Sequence, residues 1–404
     1  MKKVKYLIIL ISIIVLSWVL PKSSQLMRDN ALPNNMVYYS SVEHSFVSLY
    51  RDSKKNNLVR KNSRSGKIYS NSEFDSILPL LYYRQLVVDR KMPKEICGKK
   101  ILLGDLQSKS FFYHMSPTKK NTPKIKLYTM FESNSGRVRL KMPLDFFRLT
   151  NKIEFINAED NSVNIPKSEM FQNLFDINDF KFPAVLTATN PNPKKAYDEG
   201  SFILDSENHL FHLKMMNSKP FLKKINMPKD LHPVYISILE PLDHSFYAFV
   251  YGKYGKVYQL TTDNYRFQEI DCPKYDINKD KLKIMANPFF WTLSVINKDT
   301  KISYALLASN KKVIDKDTIN FKGEYNHIEN YTFPFVLSFE SDYSNFLYPS
   351  FIINSYINIL VNLFFLLIFI VILKIKKREM AIVPIVLILF TGIYGLISIL
   401  IFEE

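Results

Sequence analysis

The last part of the chain contains an apolar run of 23 residues without a charged side chain, from Met380 to Phe402. A second run, from Tyr356 to Leu373, is apolar over 18 residues except for two asparagines. A helix needs about 20 such residues to cross the hydrocarbon core of a bilayer, which is about 30 Å thick. Transmembrane helices are therefore predicted over residues 356–373 and 380–402.

The N-terminus carries an export signal. Lys2, Lys3 and Lys5 precede an uninterrupted apolar run from Tyr6 to Leu20, a pattern typical of a cleaved signal peptide or of an uncleaved anchor. The run ends in Ser-Trp-Val-Leu-Pro and contains no small-x-small cleavage site. An uncleaved anchor helix over residues 1–21 is the favoured interpretation, and a cleaved signal peptide is the alternative.

Four cations lie between the two C-terminal runs, in the sequence KIKKRE at 374–379: Lys374, Lys376, Lys377 and Arg378. Cations in short loops beside membrane spans stay on the cytoplasmic side. The N-terminal MKKVK obeys the same rule. Together these signals predict a multi-pass protein of the bacterial inner membrane with a cytoplasmic N-terminus. Residues 22–350 then form a large extracytoplasmic, periplasmic domain.

The composition narrows the function classes. The net charge of +16 invites a nucleic-acid interpretation, but the lysines and arginines are scattered rather than gathered on one segment, so no nucleic-acid partner is expected. The partners predicted instead are the lipid bilayer and another membrane protein. Only two cysteines occur, Cys97 and Cys272. They cannot build a cysteine-ligated zinc site, and they either pair in one disulfide or are two buried thiols.

The sequence of the second half of the large domain predicts pairs of strands joined by polar turns. Apolar triplets within 210–213, 257–260 and 304–307 recur at an offset of 47 residues. Propeller blades of four strands repeat at about 40 to 50 residues. The fold class predicted is a membrane-anchored α+β protein, mostly β, with a propeller-like domain and three transmembrane helices. An open β-sandwich or an irregular α+β domain is the alternative.

Three stretches resemble a known family: FDSILPLLYYRQL, LYTMFESNSGRVRLKMPLDFFRL and KAYDEGSFILDSENHLFHLK. The segment from about Tyr39 to Pro220 is similar to an uncharacterised family of membrane-anchored bacterial proteins that carry a domain of unknown function. The resemblance implies no catalytic residues. It implies at most a partner role beside an ABC-type transporter.

The motifs that could carry catalytic or metal-binding chemistry are weak. His209 and His212 are three residues apart, and on a strand such residues point to opposite faces, so a metal pair is not expected. Asp198 and Glu199 in AYDEG could be a general acid and base, but a turn rich in Asp and Gly is the simpler interpretation. There is no GxSxG, P-loop or GxGxxG pattern. No catalytic, cofactor-binding or metal-binding residue is predicted.

The membrane segments carry the remaining candidates. Asn358 and Asn362 lie four apart on one helix face, where lipid cannot satisfy their amides. Thr391, Gly392 and Gly395 would let a neighbouring helix approach closely. These five residues are predicted to form a helix–helix interface, either within the C-terminal hairpin or with another membrane protein.

The function predicted from these features is that of a non-enzymatic accessory, sensor or binding subunit of a bacterial envelope complex, such as an ABC-type transporter. The alternative is an extracytoplasmic envelope hydrolase whose site is assembled from distant loops.

Overall fold

The computed structural model describes residues 2–27, 36–52, 57–273, 275–297, 299–320, 331–341, 343–354, 357–379 and 381–402. The chain divides into two compact units. One, here called the β unit, comprises residues 36–49 and 59–319. The other, here called the terminal unit, comprises residues 1–35, 50–58 and 320–404.

The described residues form strands and helices in the following order. The strands are β1 Met36–Ser40, β2 Ser45–Arg51, β3 Leu58–Asn62, β4 Glu95–Ile96, β5 Lys99–Lys100, β6 Phe111–Met115, β7 Tyr128–Thr129, β8 Asp145–Leu149, β9 Ile153–Asn157, β10 Leu186–Ala188, β11 Ser201–Leu204, β12 Leu210–Met216, β13 Lys219–Ile225, β14 Pro233–Ile238, β15 Phe246–Gly252, β16 Val257–Thr261, β17 Phe267–Ile270, β18 Lys281–Ala286, β19 Phe290–Ile296, β20 Thr300–Leu307, β21 Val313–Asn320, β22 Phe335–Ser338 and β23 Ser350–Ile353. The helices are α1 Lys2–Met27, α2 Asn71–Ile77, α3 Tyr83–Val88, α4 Leu103–Lys109, α5 Pro117–Asn121, α6 Ile165–Ile177, α7 Asn358–Ile375, α8 Ile382–Thr391 and α9 Ile393–Phe402.

Among the described residues, five sheets of three or more strands build the β unit, and β4 and β5 form a further two-stranded sheet. Sheet 1 has the strand order β1-β2-β3, sheet 2 has β7-β8-β9, sheet 3 has β10-β11-β12-β13, sheet 4 has β14-β15-β16-β17, and sheet 5 has β21-β20-β19-β18-β6. Burial follows strand position: β15, in the middle of sheet 4, is buried along its whole length, whereas the edge strand β21 alternates half-buried and exposed residues. The three apolar triplets that recur at 47 residues lie on β12, β16 and β20. Each of these is the third strand of its four-stranded meander.

Successive sheets pack against each other through shared apolar cores. Separate clusters join sheets 2 and 3, sheets 3 and 4, and sheets 4 and 5, and a smaller one joins sheets 5 and 1. No core cluster joins sheet 1 with sheet 2 among the described residues. The prediction of a mostly β domain is therefore confirmed. The sheets do not form a closed propeller. The chain between β3 and β7 forms four short helices and three short strands instead of another four-stranded sheet.

The terminal unit has a core of its own. Ile9 and Ile13 of α1 are buried in a cluster with Phe369 of α7, Ile388 of α8 and Ile399 of α9. The β22–β23 hairpin contributes half-buried side chains to the same cluster. The N-terminal helix is thus part of this core rather than an appendage.

The prediction of three spanning helices is wrong. Two described helices are long and apolar enough to cross a membrane, Val4–Ser24 within α1 and Asn358–Ile375. The run at 380–402 is broken at Gly392 into α8 and α9, of ten residues each. Gly392 has φ +57° and ψ −125°, a left-handed conformation that ends α8.

Candidate functional site

The asparagines predicted to face another helix use their Nδ2 donors inside the terminal unit, while the Oδ1 atom of each is buried without a hydrogen-bond partner among the described residues. Asn358 donates a hydrogen bond from Nδ2 to the Phe333 carbonyl oxygen at 3.0 Å. Asn362 donates from Nδ2 to the Leu389 carbonyl oxygen at 2.9 Å. Both side chains are buried. The amide groups therefore hold α7 against neighbouring segments of the same chain.

The small residues in the same region permit that approach. A Cβ on Gly392 would lie 2.2 Å from Asn362 Oδ1, and a Cβ on Gly395 would lie 2.3 Å from Thr391 Oγ1. Thr391 itself donates to the Leu387 carbonyl oxygen at 2.6 Å. The five predicted interface residues thus all make close approaches or hydrogen bonds within the terminal unit.

The predicted topology signal lies where α7 ends. Lys374 is in the last turn of α7, and Lys376, Lys377 and Arg378 follow it in an exposed connection to α8. Lys377 has a φ of +48°, in the left-handed region.

The two cysteines are both free thiols. Cys97 is exposed and Cys272 is half-buried. Burial, reinforced by the nearby Asp271 and Asp280 carboxylates, raises the pKa of the Cys272 thiol. The Cys272 thiol is therefore a poor nucleophile, and no disulfide joins Cys97 and Cys272 in the structure.

The two histidines considered as a metal pair do not converge. His209 lies before β12 with Nδ1 3.1 Å from Asp205 Oδ2. His212 is fully buried between two other groups: its Nε2 reaches the Glu199 carbonyl oxygen, and its Nδ1 lies 2.8 Å from the Tyr265 hydroxyl. A carbonyl oxygen only accepts, so Nε2 carries the proton and Nδ1 accepts from Tyr265. Burial lowers the pKa of His212 far enough to keep it neutral. Over the described ranges, no group of three or more His, Cys, Asp or Glu side chains could hold a metal ion.

The AYDEG motif contributes to a buried ionic network that the sequence does not predict. Lys195 Nζ donates to Asp198 Oδ1 at 2.5 Å and to Glu240 Oε1 and Oε2 at 2.7 and 2.8 Å. Lys214 Nζ donates to Glu199 Oε2 at 2.6 Å. These five residues, here called the ionic network, place three carboxylates against two ammonium groups. The network therefore carries one excess negative charge when all five are ionised.

Backbone and amide donors complete the network. The Glu199 N–H donates to Glu240 Oε1 at 2.9 Å, and Asn190 Nδ2 donates to Glu240 Oε2 at 2.6 Å. The Gly200 N–H donates to Asp198 Oδ2 at 3.0 Å. Asp198 and Glu240 are thus both ion-paired and hydrogen-bonded, as buried charges must be, and the second oxygen of Glu199, Oε1, lies 3.3 Å from His244 Nδ1.

Gly200 explains why both acids of the motif are buried instead of exposed in a turn. Its φ of +78° is a left-handed conformation, and a Cβ there would lie 2.3 Å from the Leu213 carbonyl oxygen. The glycine therefore lets residues 198–200 press directly against β12. Lys195 and Glu240 are 45 residues apart, so spacing in the sequence offers no sign of their contact.

Asp198 is the most perturbed acid of the network. Burial raises its pKa to about 6, while the Lys195 ammonium opposes the shift. Its direction agrees with the excess negative charge, because protonation of one carboxyl would neutralise the network. A carboxyl that titrates near neutral pH can serve as a general acid. In Asp198, however, the Oδ1 atom is already engaged by the Lys195 ammonium group.

A well-formed pocket of the β unit lies elsewhere, between sheet 1, the segment that follows α2, and the β6 edge of sheet 5. This pocket, here called the aromatic pocket, has a volume of about 290 Å³ and is lined by aromatic and aliphatic side chains that include Tyr38, Leu81, Phe111 and Phe112. Its polar lining groups are hydroxyls and one amide, and the Ser110 hydroxyl is buried without a hydrogen-bond partner. No carboxylate, imidazole, amine or thiol lies among the described residues that line it.

Residues 36–306, more than half of the chain, match the family model described as Domain of unknown function (DUF4857). A search of curated proteins finds no match. Among solved structures, the chain is similar to the β-propeller domain of Myceliophteria thermophila Cps50 (Swd1), with 7% identity over 71% of this chain and 87% of that one and a TM-score of 0.23. It is also similar to dihydro-heme d1 dehydrogenase NirN in complex with DHE, with 8% identity over 62% and 65% and a TM-score of 0.22. At these TM-scores neither likeness supports an inference about this chain.

Proposed function

The chain belongs to this family of unknown function, and we propose that it is a membrane-anchored binding protein that acts as a non-enzymatic sensor or accessory subunit of a bacterial envelope complex. The aromatic pocket carries the proposal. It is apolar and concave, as small-molecule sites are, and its lining offers two tyrosine hydroxyls but no carboxylate or imidazole for acid–base chemistry. It is suited to hold a ligand without transforming it.

The anchor consists of α1 and α7. Both are long enough to span a bilayer, and the cations at the N-terminus and at 374–378 keep these ends cytoplasmic. The β unit between them is then extracytoplasmic. Ile9 and Ile13 are buried in the core of the terminal unit, which supports a retained anchor over a cleaved signal peptide. The membrane we propose is the bacterial inner membrane.

The proposed partner is another membrane protein, such as an ABC-type transporter. Asn358 and Asn362 are engaged within the chain, so a partner would contact other faces of α1 and α7. Copurification at native expression level in mild detergent tests this. A membrane protein that is retained by the full chain supports the proposal, and purification of the chain alone counts against it.

The orientation is tested with the chain's own thiol. Cys97 is exposed in the β unit, so a membrane-impermeant maleimide should label it in intact spheroplasts. A Lys376→Cys variant in a Cys97→Ser background should label only after permeabilisation. Labelling of both sites in intact cells would contradict the proposed topology.

A second candidate, the envelope hydrolase, is favoured by one observation: Asp198 has a pKa of about 6 in a group of three carboxylates. Two variants separate the candidates. Leu81→Trp fills the aromatic pocket from a side chain that is 41% exposed, and Val87→Trp is its control because Val87 is 43% exposed and does not line that pocket. The variants are expressed in a deletion strain with a measurable defect. If the protein acts by binding, Leu81→Trp should fail to complement the deletion, whereas Val87→Trp and Asp198→Asn should complement it. Failure of Asp198→Asn with success of Leu81→Trp would favour the hydrolase.

A further inference from the structure

A second pocket of the β unit borders the aromatic pocket. It has a volume of about 210 Å³ and is here called the polar pocket. Phe111 and Asn287 line both pockets, so the two pockets are neighbours. A single ligand could therefore extend from one into the other.

The polar pocket contains a buried cation without a counter-ion. Lys311 is only 6% exposed, and burial alone, with no nearby charge among the described residues, shifts its pKa. Its ammonium group donates to the Ala308 carbonyl oxygen and lies 4.1 Å from the centroid of the Trp291 ring. Burial lowers the pKa of Lys311 to about 8, so it remains mostly protonated at pH 7. A buried charge without a partner is costly, and an anionic ligand would remove that cost.

A second polar group also lines the pocket. The Gln259 side chain is 5% exposed, and no hydrogen bond joins its amide to another described residue. Its N–H donors are therefore available to a ligand. Together with Lys311 it supplies two N–H donors from two different strands or loops, a number that matches the two oxygens of a carboxylate.

The other charges at the pocket limit the ligand's charge. Lys109 is paired with Asp105 at 3.0 Å, and Asp243 accepts hydrogen bonds from Ser245. One uncompensated cation faces the pocket with one acidic side chain in the lining. This balance favours a monoanion over a phosphate dianion.

We propose that the polar pocket binds the carboxylate of an amphipathic organic acid whose apolar part occupies the aromatic pocket. The inference rests on the proposed function, because it names the ligand class of the same site. Lys311 and Gln259 bind the carboxylate oxygens, and the aromatic pocket buries the hydrocarbon portion. Specificity for an acid over its neutral analogue then comes from the polar pocket, and most of the contact area from the aromatic pocket.

The test uses the only two tryptophans of the chain, Trp18 and Trp291. In a Trp18→Phe background, Trp291 reports directly on the polar pocket. The full chain is reconstituted in phosphatidylcholine nanodiscs and titrated with 4-phenylbutyrate and with its neutral analogue 4-phenylbutan-1-ol. We expect a saturable change of Trp291 fluorescence with both probes and tighter binding of the acid.

Variants assign the effect to the polar pocket. Lys311→Met should weaken binding of 4-phenylbutyrate by about tenfold or more, the range for a lost charge-assisted hydrogen bond, and should change binding of the alcohol by no more than about twofold. Lys312→Met is the matched control, since Lys312 is the exposed neighbour, and it should change neither. If Lys311→Met does not fold, Gln259→Leu replaces it with the same expected direction.

The outcomes separate the inference from the proposed function. Equal affinity for acid and alcohol, unchanged in the variants, would overturn the carboxylate site and leave the binding function standing. Binding of neither probe would overturn both. Loss of both probes in Lys311→Met with a native melting profile would also overturn the inference, because the lysine would then support the pocket rather than bind the carboxylate.

Discussion

Replacement of Lys195 by alanine should test whether the ionic network is held together by charge compensation. The Lys195 ammonium makes three contacts of 2.5 to 2.8 Å with Asp198 and Glu240, and the side chains of both acids are only 6% exposed. Removal of one partner from a buried pair costs about 3–5 kcal/mol, since the remaining charge is left uncompensated. Both acids keep backbone or amide donors. The expected loss is therefore near the lower end, about 3 kcal/mol.

The measurement is chemical denaturation of the full chain in detergent, followed by tryptophan fluorescence at pH 7.5. Lys194→Ala is the matched control, because Lys194 is the exposed neighbour of Lys195; a surface change of this kind stays within about 0.5 kcal/mol. The cost of Lys195→Ala should also shrink toward pH 5, where protonation neutralises Asp198, whose pKa burial raises to about 6. A loss below about 1 kcal/mol at pH 7.5, or a loss that does not depend on pH, would refute the reasoning.

The remaining predictions concern one acid, two glycines and the thiols. The pKa of Asp198 is about 6 in the folded chain, and its ordinary value is 3.8. The free energy of unfolding should therefore fall as the pH rises from about 4 to 6, because the carboxyl ionises first in the unfolded chain. Asp198→Asn should therefore be at least as stable as the parent at pH 7.5 and should lose that part of the pH dependence in denaturation curves; a large loss at pH 7.5 would show that the carboxylate is needed. Gly200→Ala should cost well over the roughly 1 kcal/mol expected for Gly136→Ala, since both have positive φ but a Cβ meets nothing within 4 Å at Gly136; equal midpoints would contradict the close approach. Maleimide at pH 7.5 should add one adduct by mass, at Cys97, and a second at Cys272 only after unfolding; no adduct without reductant would indicate a disulfide.

The sequence determined the features that depend on local pattern. The apolar run that becomes α7 is recognisable because a bilayer span needs a fixed length of apolar residues. The 47-residue recurrence is visible because equivalent strands of successive sheets bury equivalent side chains. The family resemblance rests on long motifs between about Tyr39 and Pro220, and the family model covers this segment and continues to residue 306.

The tertiary structure decided what depends on backbone conformation and on contacts between distant residues. The break at Gly392 is invisible in an apolar run, because hydropathy does not report φ and ψ. The turn expected at Asp198 and Glu199 became a buried network, since Gly200 allows an approach to β12 that any Cβ would block. Lys195 meets Glu240, and Lys311 lies beside Trp291, only because sheets bring segments that are far apart in the chain into contact. Charge compensation and cavity shape are properties of such contacts, and therefore only the folded chain shows them.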